Sequence, residues 1–253
     1  MALASLIVRT DAIAARPRAP SPGSIGIWTA RPDEVAESQW PSLLRLLDDA
    51  ERVRAAAFVF ETHRRQYVAA HALKRLMLSA AVDGSVGACD WRFVAEPGGK
   101  PRAVNAGAPF FNLSHCDGLV ACAVSACADV GVDVEPVTRP PPMEVAVEVF
   151  AESERAQLEA LDGVAQAIAF FRLWTLKEAY IKATGEGLAA SLRSFAFDLD
   201  TLRIDFDPRA GARSRSWRFA QHRLMPGHVL SLAWEGAAMT PAVEPIRWSG
   251  GAD

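Results

Sequence analysis

The sequence predicts a mixed α/β fold, because strand-like and helix-like segments are interspersed in both halves of its 253 residues. Two segments carry most of that reading. Gly131-Val132-Asp133-Val134-Glu135 alternates as a strand does, and Glu61 to Ala81 sets Tyr67, Leu73, Leu76 and Met77 on the apolar face of a long helix. The other face of that helix, Arg64, Arg65, Lys74 and Arg75, reads as basic and solvated.

The remaining elements follow in order. Met1 to Val8 is apolar but lacks a basic flank and is cut short by Arg9 and Asp11, so it reads as neither signal peptide nor membrane anchor. Residues 10 to 24 read as a loose leader. Ser24 to Trp28 is a short strand, and Pro41 to Ala50 opens a helix that the run from Asp48 interrupts or ends. Trp91 to Val94, Phe110 to Leu113 and Leu119 to Val124 are strands, with Glu96 to Pro101 a turn. After Glu135, Pro136 and the run Arg139-Pro140-Pro141-Pro142 make a stiff connection. Phe150 to Leu161 and Ala165 to Thr184 are helices, and strand-like segments follow near Ser194 to Asp198, Ser216 to Phe219 and Val229 to Trp234. There is no internal sequence repeat.

Half the residues are apolar, enough for a sizeable core. Lys plus Arg number 27 against 30 Asp plus Glu, and the net charge of −3 argues against nucleic acid as the main partner. No apolar stretch approaches the roughly 18 residues of a transmembrane helix. Cys89, Cys116, Cys122 and Cys127 show no C-x-x-C spacing and read as small buried apolar residues, which favours a reducing cytoplasm.

Chemistry enters with the carboxylates. Strand alternation puts Asp133 and Glu135 on one face, roughly 6.6 Å apart along the chain, and Val132 and Val134 on the other. Two covered like charges need a cation or a proton, and carboxylate oxygens suit a hard divalent ion such as magnesium. On the later helix, Ala167, Phe171, Trp174, Glu178 and Ile181 share a stripe, so Glu178 sits where an apolar residue is expected. Glu178 and Lys182 are also an ordinary i,i+4 pair. Asn112-Leu113-Ser114-His115 is readable as a simple hairpin, Lys100 as an exposed turn residue or a phosphate clamp, and Gly185-Glu186-Gly187 as a helix cap.

Gly99-Lys100-Pro101, Phe111-Asn112-Leu113-Ser114-His115, Gly131 to Glu135 and the segment Trp174 to Leu188, in this order, resemble the Sfp-type 4'-phosphopantetheinyl transferases. Phe58 to Leu78, with His63-Arg64-Arg65-Gln66-Tyr67, is similar to theirs as well, and Ala179 after Glu178 resembles the Lys-Glu-Ala branch. The resemblance covers about residues 24 to 235. It implies two similar α/β halves related by a pseudo-two-fold axis, residues 24–130 and 131–253 behind a leader of residues 1–23, with coenzyme A in the cleft of a monomer. It also implies the reaction, in which the pantetheine arm of coenzyme A moves to a serine of an apo carrier protein and adenosine 3',5'-bisphosphate leaves.

By the same resemblance Asp133, Glu135 and Glu178 hold Mg2+, Glu178 is also the general base, and Lys182 stabilises the departing phosphate. Ser114 and His115 contact the nucleotide phosphates, Lys100 reaches the pyrophosphate, and Arg64 and Lys177 help hold coenzyme A. Glu154 falls where the family has another acidic residue near the site. The segment holding Glu51, Arg52 and Arg54 is less basic than the family's. The same triad with water as nucleophile describes a magnesium-dependent pyrophosphohydrolase of coenzyme A. A non-catalytic coenzyme A or carrier-binding module is the third class, against which intact Asp133, Glu135, Glu178 and Lys182 speak.

Overall fold

Alternation along each strand decides the layering. The structure, a computed structural model, describes residues 23–187, 191–207, 216–224, 227–236 and 239–246, so nearly all of the expected leader and the end of the segment Trp174 to Leu188 lie outside the described residues. The chain runs β1 (Ser24–Ala30), α1 (Trp40–Leu46), α2 (Asp49–Ala56), α3 (Glu61–Ala81), β2 (Phe93–Ala95), β3 (Pro101–Ala103), β4 (Phe110–Cys116) and β5 (Leu119–Ser125). It continues through β6 (Val130–Pro136), α4 (Ala146–Val149), α5 (Glu152–Glu159), α6 (Gly163–Thr184), β7 (Phe195–Asp198), β8 (Arg203–Phe206), β9 (Trp217–Leu224), β10 (His228–Glu235) and β11 (Thr240–Ile246).

On β5, Val120, Cys122 and Val124 pack with Leu73 and Met77 of α3, while Ala121 and Ala123 look the other way. There they meet Ile25 and Ile27 of β1, Val132 and Val134 of β6, and Leu230 and Leu232 of β10. Beyond β6 and β10, Phe170, Phe171, Leu176 and Tyr180 of α6 close a third core with Val229 and Ala233. Burying both faces of both sheets yields a stack of helix, sheet, sheet and helix. The mixed α/β expectation holds.

The sheets run β11-β1-β5-β4 and β6-β10-β9. A strand, a long helix, a two-stranded hairpin and an antiparallel pair occur as β1, α3, β2–β3, β4, β5 and again as β6, α6, β7–β8, β9, β10. In both rounds the first strand pairs with the last. This topological repeat has no counterpart in the sequence. β11, which the sequence reading left without a strand, joins β1 in parallel, so Thr240–Ile246 adds to the first sheet although a division at 130 counts it with the second half. Pro241 and Pro245 fit there because β11 is an edge strand, where a missing donor costs little.

One local expectation is extended and two are corrected. The helix opened near Pro41 does stop just before Asp48, and Asp48 then starts the next one: its carboxylate accepts the Glu51 N–H at 2.9 Å and Glu51 returns the bond at 3.1 Å, a capping box. Of the four free cysteines only Cys122 is buried, since Cys89 and Cys127 fall in exposed connections and Cys116 is half-covered. Lys74 and Arg75 are not solvated. Lys74 Nζ lies 2.6 Å from Glu51 Oε1, and Arg75, fully buried, reaches Glu51 Oε2 at 2.8 Å, Asp48 at 2.6 Å and the Trp91 carbonyl at 3.1 Å.

That cluster has a consequence in acid. Burial opposes the Glu51 charge, but the His71 hydrogen bond and the Lys74 charge outweigh it and hold the carboxyl well below the usual carboxylate range. A depressed folded value means the stability is present above the unfolded value and is lost as pH falls from the ordinary carboxylate range towards the folded one. The protein is expected to lose stability through that window. Glu51→Gln, which strands Lys74 and Arg75, should cost about 3–5 kcal/mol at neutral pH and flatten the acid dependence. Urea midpoints between pH 3 and 7 check both, and an unchanged neutral midpoint would refute the network.

Candidate active site

The site grows from the contact between β6 and α6. Gly131 lets the two approach: a Cβ there would stand 1.9 Å from the Ala179 carbonyl oxygen and 2.4 Å from the Ala183 nitrogen. With Val132 and Val134 turned to the inner core, Asp133 and Glu135 leave β6 on the α6 side, as strand alternation predicts. Asp133 is buried, and its Oδ1 accepts from Lys182 Nζ at 2.6 Å and from the Ser114 hydroxyl at 2.8 Å. Its Oδ2 is buried with no hydrogen-bond partner. The i,i+4 reading of Glu178 and Lys182 therefore gives way to a longer-range contact, in which Lys182 turns to β6.

Glu135 pairs with Arg139 at 2.9 Å, and Arg139 stacks over the Phe171 ring of α6 at 4.7 Å. Burial, followed by the neighbouring Asp133 charge, holds the Glu178 carboxyl above its usual value, and Lys182 only partly offsets this. Glu135 is likewise pushed up by burial, against the Arg139 bond. Glu178 and Lys182 line a cleft of about 290 Å³. Its other walls include Gly98, Gly99, Leu113, Ile181, Gly185 and Gly187. Gly185 ends α6 in the left-handed conformation, φ +73°, with its N–H on the Ile181 carbonyl at 2.9 Å. Gly98 packs so closely on Gly185 that a Cβ would meet the Gly185 carbonyl oxygen at 1.7 Å.

The donor chemistry fits a hard divalent ion. Three carboxylates sense one another electrostatically, and the buried, unpartnered Asp133 Oδ2 is an acceptor in want of a cation. Among the described residues no three carboxylate, imidazole or thiol groups already converge as a finished metal cage.

The other expected residues are scattered. His115 lies next to Ser114 on β4, where partial desolvation and the Lys182 charge hold its imidazole below the ordinary value and His63 of α3 adds to the effect. His63, which the sequence reading left without a role of its own, thus belongs to this neighbourhood. Arg64 chelates Glu61 at 2.7 and 2.8 Å and lines a separate cleft with Trp40, Leu44 and Arg65. Lys100 is not an open clamp: its ammonium is buried and spent on Asp129 at 2.7 Å and on the Ala183 carbonyl at 2.8 Å, which caps the end of α6. Lys177 leaves another face of α6, 1% exposed, with Glu154 and the Leu192 and Phe195 carbonyls taking its three protons at 2.8, 2.7 and 2.7 Å. One residue from Glu178 along a helix is about 100° around it, so Lys177 faces the third core instead of coenzyme A. Glu154 is its buried partner there, also capping α5 through the Ala151 N–H at 2.8 Å.

The description of the 4'-phosphopantetheinyl transferase superfamily matches residues 129–233, which hold β6, α6 and every carboxylate of the site. The 4'-phosphopantetheinyl transferase HetI of Nostoc is 36% identical over 163 residues, 62% of this chain and 68% of that one. A phosphopantetheinyl transferase of Thraustochytrium is 30% identical over 221 residues, covering 80% and 75%. The 4'-phosphopantetheinyl transferase Sfp of Bacillus subtilis is 29% identical over 174 residues, covering 69% and 75%. The chain belongs to the 4'-phosphopantetheinyl transferase superfamily.

Proposed function

We propose that this enzyme moves the 4'-phosphopantetheine arm of coenzyme A onto a serine hydroxyl of an apo carrier protein, acyl, peptidyl or aryl. The observation that carries the reading is Glu178 and Lys182 of α6 set against Asp133 and Glu135 of β6, in a chain of this superfamily. The serine oxygen bonds to phosphorus, the phosphorus–oxygen bond to the nucleotide breaks, and adenosine 3',5'-bisphosphate leaves with the electron pair. Glu178 takes the serine proton, directly or through a water. Lys182 supplies positive charge beside the phosphate oxygens as they gain it. Asp133, Glu135 and Glu178 would hold Mg2+, which when bound neutralises charge on the pyrophosphate. The nucleotide lies towards His115 and Arg64. Glycine and aliphatic residues line the cleft of about 290 Å³ together with Lys100, Asn112, Glu178 and Lys182, and because the Lys100 charge is spent on Asp129 and the Ala183 carbonyl, the cleft suits the polar but uncharged pantetheine arm.

Among the described residues no helix is long and apolar enough to cross a membrane. A monomer acting in a reducing cytoplasm, without nucleic acid or membrane partners, completes the reading. The test incubates the protein with coenzyme A, magnesium and several apo carriers and follows the carrier mass. The carrier is expected to gain one phosphopantetheine, to stop gaining it on exhaustive chelation, and to be required for bisphosphate release. Rapid release from coenzyme A alone would replace the transferase by the hydrolase, and transfer surviving chelation would remove the metal.

A further inference from the structure

Asn112 and Ser114 stand two residues apart on β4, so both leave the same face of that strand. They meet β6, one of whose edges is taken by β10. β4 and β6 belong to different sheets, yet Asn112 Oδ1 accepts the Val132 N–H at 3.0 Å and Ser114 Oγ accepts the Val134 N–H at 3.2 Å. Alternate N–H groups of a strand point to one edge, and here two side chains stand where a neighbouring strand would offer carbonyls. Asp133 lies between those two anchored peptides.

A hydroxyl has one proton and two lone pairs. The Ser114 proton goes to Asp133 Oδ1 at 2.8 Å, and its lone pairs take the Val134 N–H and Lys182 Nζ at 3.2 Å. Nothing is left to donate to a phosphate oxygen. Asp133 Oδ1 is in turn filled by Ser114 and Lys182, so the carboxylate can rotate in neither direction without breaking a bond, and Oδ2 is the oxygen left open.

We propose that Ser114 and Asn112 are positioning residues. They fix β6 against β4 and aim Asp133 Oδ2, and Ser114 does not contact the nucleotide, the role that the family resemblance suggests for it. The proposal rests on the reading above only for what Asp133 does once aimed.

The test separates the two roles by binding, with Mn2+ and adenosine 3',5'-bisphosphate as probes, the latter in the presence of a chelator. Ser114→Ala is expected to weaken Mn2+ binding by about tenfold or more, as loss of a bond that orients a ligand does. It should lower kcat at a near-constant KM for coenzyme A and leave bisphosphate binding unchanged. Ser114→Thr, which keeps the hydroxyl, should restore Mn2+ binding, and it carries the test if the alanine variant fails to fold. Asn112→Ala should weaken Mn2+ binding in the same way without touching the bisphosphate. Weakened bisphosphate binding with normal Mn2+ affinity would overturn the proposal in favour of a phosphate contact. So would unchanged Mn2+ binding in a folded alanine variant, or a folded threonine variant that fails to bind Mn2+. If the wild-type protein modifies no carrier, the proposed function fails, while these binding comparisons still decide the role of Ser114.

Discussion

Glu178→Gln is expected to lower turnover by about 10²–10⁴-fold, the span a positioned general base contributes, while the protein stays folded. Glutamine keeps the shape and half the acceptors of the carboxylate but removes the charge that burial and Asp133 already strain. Asp133→Asn should cost a similar factor by another route. The amide replaces the acceptor that holds Lys182 at 2.6 Å and Ser114 at 2.8 Å, and its partner oxygen no longer attracts a cation. Steady-state transfer to an apo carrier, with circular dichroism to confirm the fold, reads both. Near-normal turnover in either folded variant would remove that residue from the chemistry.

The second large effect is structural. Gly131→Ala places a methyl group 1.9 Å from the Ala179 carbonyl oxygen, and both sides of that contact are backbone, which cannot rotate away as a side chain can. Either β6 shifts from α6 or the helix unravels locally, and a loss of about 3 kcal/mol or more follows, at the upper end of overpacking costs. Gly99→Ala is the control. Its φ of +83° is unfavourable for alanine but nothing stands within 4 Å, so only about 1–2 kcal/mol of left-handed strain is expected. Equal denaturation midpoints for the two variants would mean that β6 and α6 do not approach so closely. The same shift would separate Asp133 from Lys182, so activity should fall with stability for Gly131.

What was legible in the sequence had short range. The period of two along Gly131 to Glu135 put Asp133 and Glu135 on one face, and the structure keeps it. The bounds of α3 and α6 were placed within a residue or two, α3 through its amphipathic stripe and α6 through a long, largely apolar run. Charge was read less well. Arg64, Lys74 and Arg75 look alike on a helical stripe, but Arg64 is half-exposed on Glu61 whereas Lys74 and Arg75 are buried on Glu51, a residue of another helix. No periodicity reports that partner.

By itself the sequence determined the mixed α/β character, the carboxylate pair on its strand face, the Glu178–Lys182 spacing and, through its motifs, the superfamily. These follow from backbone periods and local residue order, which any stretch of chain carries within itself. Tertiary structure decided which cations are free. It spent the charge of Lys100, in the cleft wall, and of Lys177, in the third core, on carboxylates and carbonyls, brought Lys182 to Asp133, and joined β4 to β6 through Asn112 and Ser114. A buried ammonium goes to whichever acceptors the fold encloses with it, because leaving it unpaired there costs more than any local preference, and those acceptors lie 15 to 83 residues away along the chain.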